Sequence, residues 1–112
     1  MRYYITFAGI SGTTTNRKYI GASRLLTYEN DEAGSITFSK TFDKATQALM
    51  GAAFSDDTIS WARAVCEEDG KVVFKTTFSN LRVSSFQQAG SDKSRIEYYS
   101  VDYGGSTTEW PQ

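Results

Sequence analysis

Residues 38–57 read FSKTFDKATQALMGAAFSDD, and their reading decides the fold class, because they hold the one helical pattern in a chain that otherwise alternates. Asp43 is placed to accept a hydrogen bond from an unpaired backbone N–H of a first helical turn. Ala45, Ala48, Leu49 and Ala52 then recur at helical spacing, which predicts a helix over about 43–54. The segment is short, and Gly51 costs it about 1 kcal/mol relative to alanine, so it needs a surface to lie on. Its stripe is narrow and built mostly from alanine, which suits close approach to a sheet.

On both sides the pattern has period two. RYYITFAGI (2–10) sets Tyr3, Ile5 and Phe7 against Tyr4, Thr6 and Ala8, and SGTTTNRK (11–18) reads as a hairpin loop. YIGASRLLTYE (19–29) reads as one second strand, with Gly21 at a bulge or close approach. NDEAGS is a polar turn. SITFSKTF (35–42) then puts Ile36, Phe38 and Phe42 on one face and Ser35, Thr37, Ser39 and Thr41 on the other.

After the helix, DTISWARAVCEE (57–68) places Ile59, Trp61 and Val65 opposite Ala62, Ala64 and Cys66, and Asp69-Gly70 is a strong hairpin signal. In VVFKTTFSNLRVSSF (72–86) the phase changes: Val72, Phe74 and Phe78 share a face, whereas Leu81 and Val83 take the other. A bend near Ser79 and Asn80 reconciles them, as at a barrel corner. QQAGSDK (87–93) is a turn. SRIEYYSVDYG (94–104) sets Ile96 and Tyr98 against Tyr99, Val101 and Tyr103, and the tail GSTTEWPQ reads as a short edge segment anchored by Trp110. The expectation is a single mostly β domain over 1–112, an antiparallel barrel or two packed sheets, with its short helix between the third and fourth strands.

Composition agrees. Seven Tyr, seven Phe and two Trp in 112 residues favour strands. A formal net charge of −1 supplies no general attraction to nucleic acid or anionic membrane. The lone Cys66 excludes an internal disulfide framework and reads as a small apolar strand residue. MRYYITFAGI lacks the core and cleavage site of a signal peptide, and no apolar run is long enough to span a bilayer. These features predict a cytoplasmic product with no membrane insertion, and any export by another route.

Chemistry is scarce. The chain has no histidine, hence neither the commonest general base nor the commonest metal ligand. The acidic pairs Asp31/Glu32, Asp56/Asp57 and Glu67/Glu68 fall in predicted turns or at element ends, without calcium-loop spacing. No serine, lysine or cysteine sits in a motif that supplies an activating base. No catalytic residue, cofactor or metal is expected. A binding module is the alternative: the predicted element order is also that of an OB-fold, and Phe74 and Phe78 beside Lys71 and Lys75 would make a basic stacking platform.

Residues from about Ile36 to Trp110 carry something more specific. Ser39, Lys40, Phe42, Asp43, Lys44, Ala45 and Leu49, followed by Leu81, Arg82, Val83 and Ser84, stand in an order and spacing that resembles the haemolysin-coregulated (Hcp) tube proteins of type VI secretion systems. Gln47 stands where family members often have proline, and only ENDEAGS (29–35) occupies the place of the family's long extended loop. The resemblance implies a β-barrel with a flanking helix, built into hexameric rings that stack into the inner tube of a type VI or related phage-like contractile machine. It further implies a non-catalytic role, delivery to the outside or to a target cell, effectors carried in the lumen, and sheath and spike proteins as partners. The two-faced strand at Tyr98, Tyr99, Val101 and Tyr103 is the expected subunit-contact surface.

Overall fold

The computed structural model describes residues 1–12, 21–90 and 95–110. Its elements are β1 (Arg2–Phe7), β2 (Ser23–Leu25), β3 (Thr27–Asn30), β4 (Ser35–Thr41), α1 (Thr46–Ser55), β5 (Ile59–Glu68), β6 (Lys71–Ala89) and β7 (Ile96–Glu109). The strands form one antiparallel sheet in the order β2-β1-β5-β6-β7-β4-β3. Its two outer members, β2 and β3, are separated in sequence by Leu26 alone. The Leu26 N–H donates to the Ser39 carbonyl of β4 at 2.7 Å. The sheet therefore curls until its edges meet, in a nearly closed barrel, which leaves little unpaired edge.

This closure corrects the predicted single strand over 19–29. The segment breaks at Leu26 so that β2 can pair with β1 and β3 with β4. The helix consequently lies between the fourth and fifth strands. Gly21 marks no close approach, since a Cβ there would meet nothing within 4 Å; it is there for its φ of 83°. The crowding falls on its partner Gly12, whose N–H donates to the Gly21 carbonyl at 2.7 Å and where a Cβ would come within 2.4 Å of the Ala22 carbonyl oxygen. The predicted hairpin loop beyond Gly12 lies outside the described residues, as do 91–93 of the turn predicted over 87–93. Gln87, Gln88 and Ala89 of that turn belong instead to β6, paired with Tyr98, Glu97 and Ile96 of β7. The Asp69-Gly70 hairpin forms between β5 and β6, with both residues at positive φ, 52° and 78°.

The barrel interior follows the alternation: Ile5 and Phe7 from β1, Ile36 and Phe38 from β4, Ala62 and Ala64 from β5, Phe78 from β6, and Tyr99 and Val101 from β7 form one core. Trp61 points out and is 42 % exposed, whereas Ile59, opposite Leu81, joins the core. The tail is no separate edge segment. β7 continues as far as Glu109, paired with Lys75 of β6.

The anticipated change of phase occurs at Asn80, and it is shared by three strands. Asn80 adopts φ 52°, the left-handed region. Ladder pairing continues on both sides of it, with Trp61 and Gly105 opposite Ser79, and Ile59 and Tyr103 opposite Leu81. The interior side of β6 passes from Phe78 to Leu81, and that of β5 from Ala62, opposite Phe78, to Ile59, opposite Leu81; Tyr103 of β7, also opposite Leu81, packs against the same core. Asn80 turns the row, and Gly104 beside it has no Cβ to obstruct; one added there would lie 3.2 Å from the Asn80 Cβ.

The helix starts later than predicted. Ala45 occupies the N-cap position without a side-chain cap, and Thr46, Leu49 and Ala52 face the sheet, while Ala48 is exposed. Asp43 caps the preceding turn instead, its Oδ1 accepting the Ala45 N–H at 2.9 Å. At the other end Asp56, with φ 67°, closes the helix by donating its N–H to the Ala52 carbonyl.

The corner makes a direct prediction. Asn80→Gly is expected to keep or slightly raise stability, because asparagine pays a penalty in the left-handed region that glycine does not. Asn80→Val, β-branched at the same φ, is expected to lower it by about 1–3 kcal/mol. Urea unfolding of the two variants checks this; equal midpoints would contradict a strained corner.

Candidate functional site

The most concentrated chemistry in the described residues lies where α1 meets the sheet. Alternation along β4 turns Ile36, Phe38 and then Lys40 inward, so the lysine, not Phe42, takes the third interior position. Lys40 is fully buried, and its Nζ donates to Asp43 Oδ1 at 2.8 Å, Glu97 Oε1 at 2.8 Å and Thr46 Oγ1 at 2.9 Å. With the Thr41 carbonyl at 3.3 Å as a fourth, longer contact, these acceptors fully satisfy the three ammonium hydrogens. Glu97, also fully buried, lies directly opposite Lys40 in the β4–β7 ladder. It accepts from the Thr46 hydroxyl at 3.0 Å and from the Tyr99 hydroxyl at 2.9 Å. Thr46 Oγ1 also accepts the Asp43 N–H at 3.0 Å.

This network explains the motif. Ser39 on the opposite face is buried and lies 2.6 Å, hydroxyl to hydroxyl, from Thr27. Lys40, Asp43 and Thr46 are the network; Ala45 and Leu49 seat the helix, and Leu81 and Val83 are the β6 surface in the same core. Lys44 and Ser84 are exposed, the latter donating to the Ser100 carbonyl, and Arg82 pairs with Asp56 on the surface. Phe42 is the exception among the apolar members. It falls just beyond β4 and is 58 % exposed.

Of the expected contact residues, Tyr99 and Val101 are 2 % and 0 % exposed within the protomer, so barrel packing accounts for them and they offer no surface. Tyr103 is partly buried, its ring 4.8 Å from that of Phe78. Only Tyr98, 46 % exposed, presents a large face. The stacking platform fails for the same reason: Phe78 is fully buried and Phe74 packs 5.3 Å from the Trp110 ring, leaving no pair of free aromatic faces beside Lys71 and Lys75. Sequence reasoning missed Glu97 and Thr46. The available signal was a lysine at an inward position of a strand, which demands a buried counter-charge.

No group of three or more histidine, cysteine or acidic side chains among the described residues could hold a metal ion. Cys66 is buried in β5, its thiol 3.6 Å from the Met1 sulfur, and burial pushes its pKa up, so it stays a protonated packing residue. No described helix is long and apolar enough to cross a membrane.

Two measurements test the network. Lys40→Met strands Glu97 in the interior and is expected to cost about 3–5 kcal/mol, whereas adding Glu97→Leu should restore much of that loss; a double variant no better than the single would refute the coupling. Burial first, and the Glu97 carboxylate second, raise the Tyr99 phenol pKa above its ordinary 10.0. Its stabilising contribution is thus complete below pH 10 and is lost as pH rises further, because the unfolded chain releases the proton first. Burial raises Tyr28 likewise. Tyr99→Phe is expected to cost about 1 kcal/mol at neutral pH and to flatten the alkaline fall; an unchanged slope above pH 10 would argue against it.

Comparison with known proteins places this arrangement. A search of curated protein sequences returns no match. Solved structures with the same fold include Hcp2 from Salmonella typhimurium, with TM-score 0.88, 19 % identity, and coverage of 98 % of this chain and 87 % of that one. A type VI secretion system effector from Yersinia pestis gives TM-score 0.88 at 17 % identity, over 96 % and 88 % of the two chains. The baseplate of the anti-feeding prophage is more distant, with TM-score 0.57 and 11 % identity over 97 % and 91 %. The family model described as "Type VI secretion system effector, Hcp" matches residues 21–110, most of the chain and all of the Lys40 network, and the chain therefore belongs to the type VI secretion Hcp family.

Proposed function

We propose that the chain is a structural, non-catalytic subunit that closes into hexameric rings, which stack into the inner tube of a type VI secretion or related contractile machine. Family membership supports this reading, and one observation on the protomer carries it further. Phe42 belongs to the same sequence element as Lys40, Asp43 and Ala45, yet the monomer leaves it exposed, as it does Leu26 at 54 % and Tyr98 at 46 %. A ring joins each subunit to the next through one repeated heterologous contact, and apolar side chains unused by the barrel are the material for it. Sheath, spike and effector proteins are the corresponding partners, with effectors carried in the lumen and the tube delivered outside the cell.

The short connection between β3 and β4 bears on stacking. Asp31 Oδ1 accepts the N–H groups of Ala33 and Ser35 at 2.8 and 3.0 Å, which holds its pKa below the usual carboxylate range. The Gly34 carbonyl accepts the Tyr103 N–H at 2.9 Å, tying the turn to β7. A turn folded this firmly onto its own barrel has no long arm to extend, so in this reading ring-to-ring adhesion does not come from the β3–β4 connection.

Light scattering on a sizing column tests the assembly. The expected species has six times the 12.5 kDa chain mass and a ring-shaped projection in negative stain. Phe42→Glu should shift it to monomers without lowering the melting temperature of the protomer. A wild-type monomer throughout the micromolar range would refute the ring.

A further inference from the structure

The two ends of the barrel are unlike. The end reached by β4 and β7 at Lys40 and Glu97 is occupied by the network and the start of α1. The opposite end is open: a cleft of about 350 Å³ is lined there by Tyr3, Tyr28, Phe74 and Trp110, with Glu29 and Glu32 also lining it. The Tyr3 and Tyr28 rings lie 5.4 Å apart and the Phe74 and Trp110 rings 5.3 Å apart, so the walls are two aromatic pairs. Toward the interior, the Thr76 and Thr108 hydroxyls bond to each other at 2.9 Å.

Three features are left unspent by the fold. The Tyr28 hydroxyl is buried with no hydrogen-bond partner. Asn30 Oδ1 cannot serve a further donor readily, since it already accepts from the Tyr103 hydroxyl and the Glu32 N–H, each at 2.9 Å. Glu29 and Glu32 make no ion pair among the described residues, and the Trp110 indole is 67 % exposed at the lip. Lys75 stands beyond the indole, in a separate shallow groove with Val72 and Glu109, and does not line the cleft.

Aromatic faces with unpaired carboxylates beside them select a cation, and a planar guanidinium stacks on such faces while donating in plane. We propose that this open mouth of the barrel is a binding site for a single arginine side chain presented by a partner protein, stacked against the Trp110 indole, which Phe74 backs, and paired with Glu29 and Glu32. The methylene stem would lie along the Tyr3–Tyr28 wall. The site belongs to one barrel and does not depend on the ring.

The test is fluorescence titration in a Trp61→Phe background, where Trp110 is the only indole, with the mass of the same sample measured by light scattering on unstacked protein. The probes are acetyl-Gly-Arg-Gly-amide and its norleucine counterpart. A saturable change is expected with the arginine peptide alone, weakened at least tenfold in Glu29→Gln/Glu32→Gln and weakened by added salt. No saturable response, an equal response to norleucine, or full affinity in the double glutamine variant would each overturn the assignment. The mass reads the ring proposal separately, so either idea can fail alone.

Discussion

The buried Lys40–Glu97 pair is the constraint on which the rest of the structure depends. Two opposite charges at 2.8 Å, neither reached by solvent, persist in a protein interior only when every remaining donor and acceptor is met. Here the partners come from four places in the fold: β4, the turn at Asp43, the first residue of α1, and Glu97 and Tyr99 of β7. Apolar packing alone would hold this helix loosely, because Leu49 is its only large fully buried side chain. The directional bonds through Thr46 and Asp43 determine where the helix begins and against which strands it rests.

The sheet has its own constraint in the row through Asn80 and Gly104. A long two-faced strand cannot curl round a small core with one side always inward. A single left-handed residue exchanges the faces midway, and the missing Cβ of its neighbour lets the backbones stay paired. Phe78 and Leu81, three apart, can then both be fully buried. The same bend allows β6 and β7 to run past the core and raise Phe74 and Trp110 around the open end.

These two constraints divide the surface. One end of the barrel is filled by the helix junction, while the other keeps aromatic and acidic side chains that the fold does not use. On the flank, Phe42, Leu26 and Tyr98 remain exposed because β4 ends before Phe42, the chain bends at Leu26, and Tyr98 points away from the interior. The proposed ring contact and the proposed arginine site draw on different residues. Both arise from what packing left over, not from any group activated for reaction.

Much of this was legible in the sequence by itself. Period-two alternation determined the β class and most inward positions, Asp69-Gly70 its hairpin, the mismatch between Phe78 and Leu81 the corner, and residues 39–49 the family. Local patterns record local preferences, and these features are local. Three things belong to the tertiary structure. The break at Leu26 exists because two different strands must be paired at once. Tyr99 and Val101 were assigned to a contact surface although the barrel interior claims them, since alternation identifies a face without saying what covers it. Glu97, 57 residues from Lys40, became its partner only when β4 and β7 were set side by side, because a buried charge is tolerated by neighbours in space and not by neighbours in sequence.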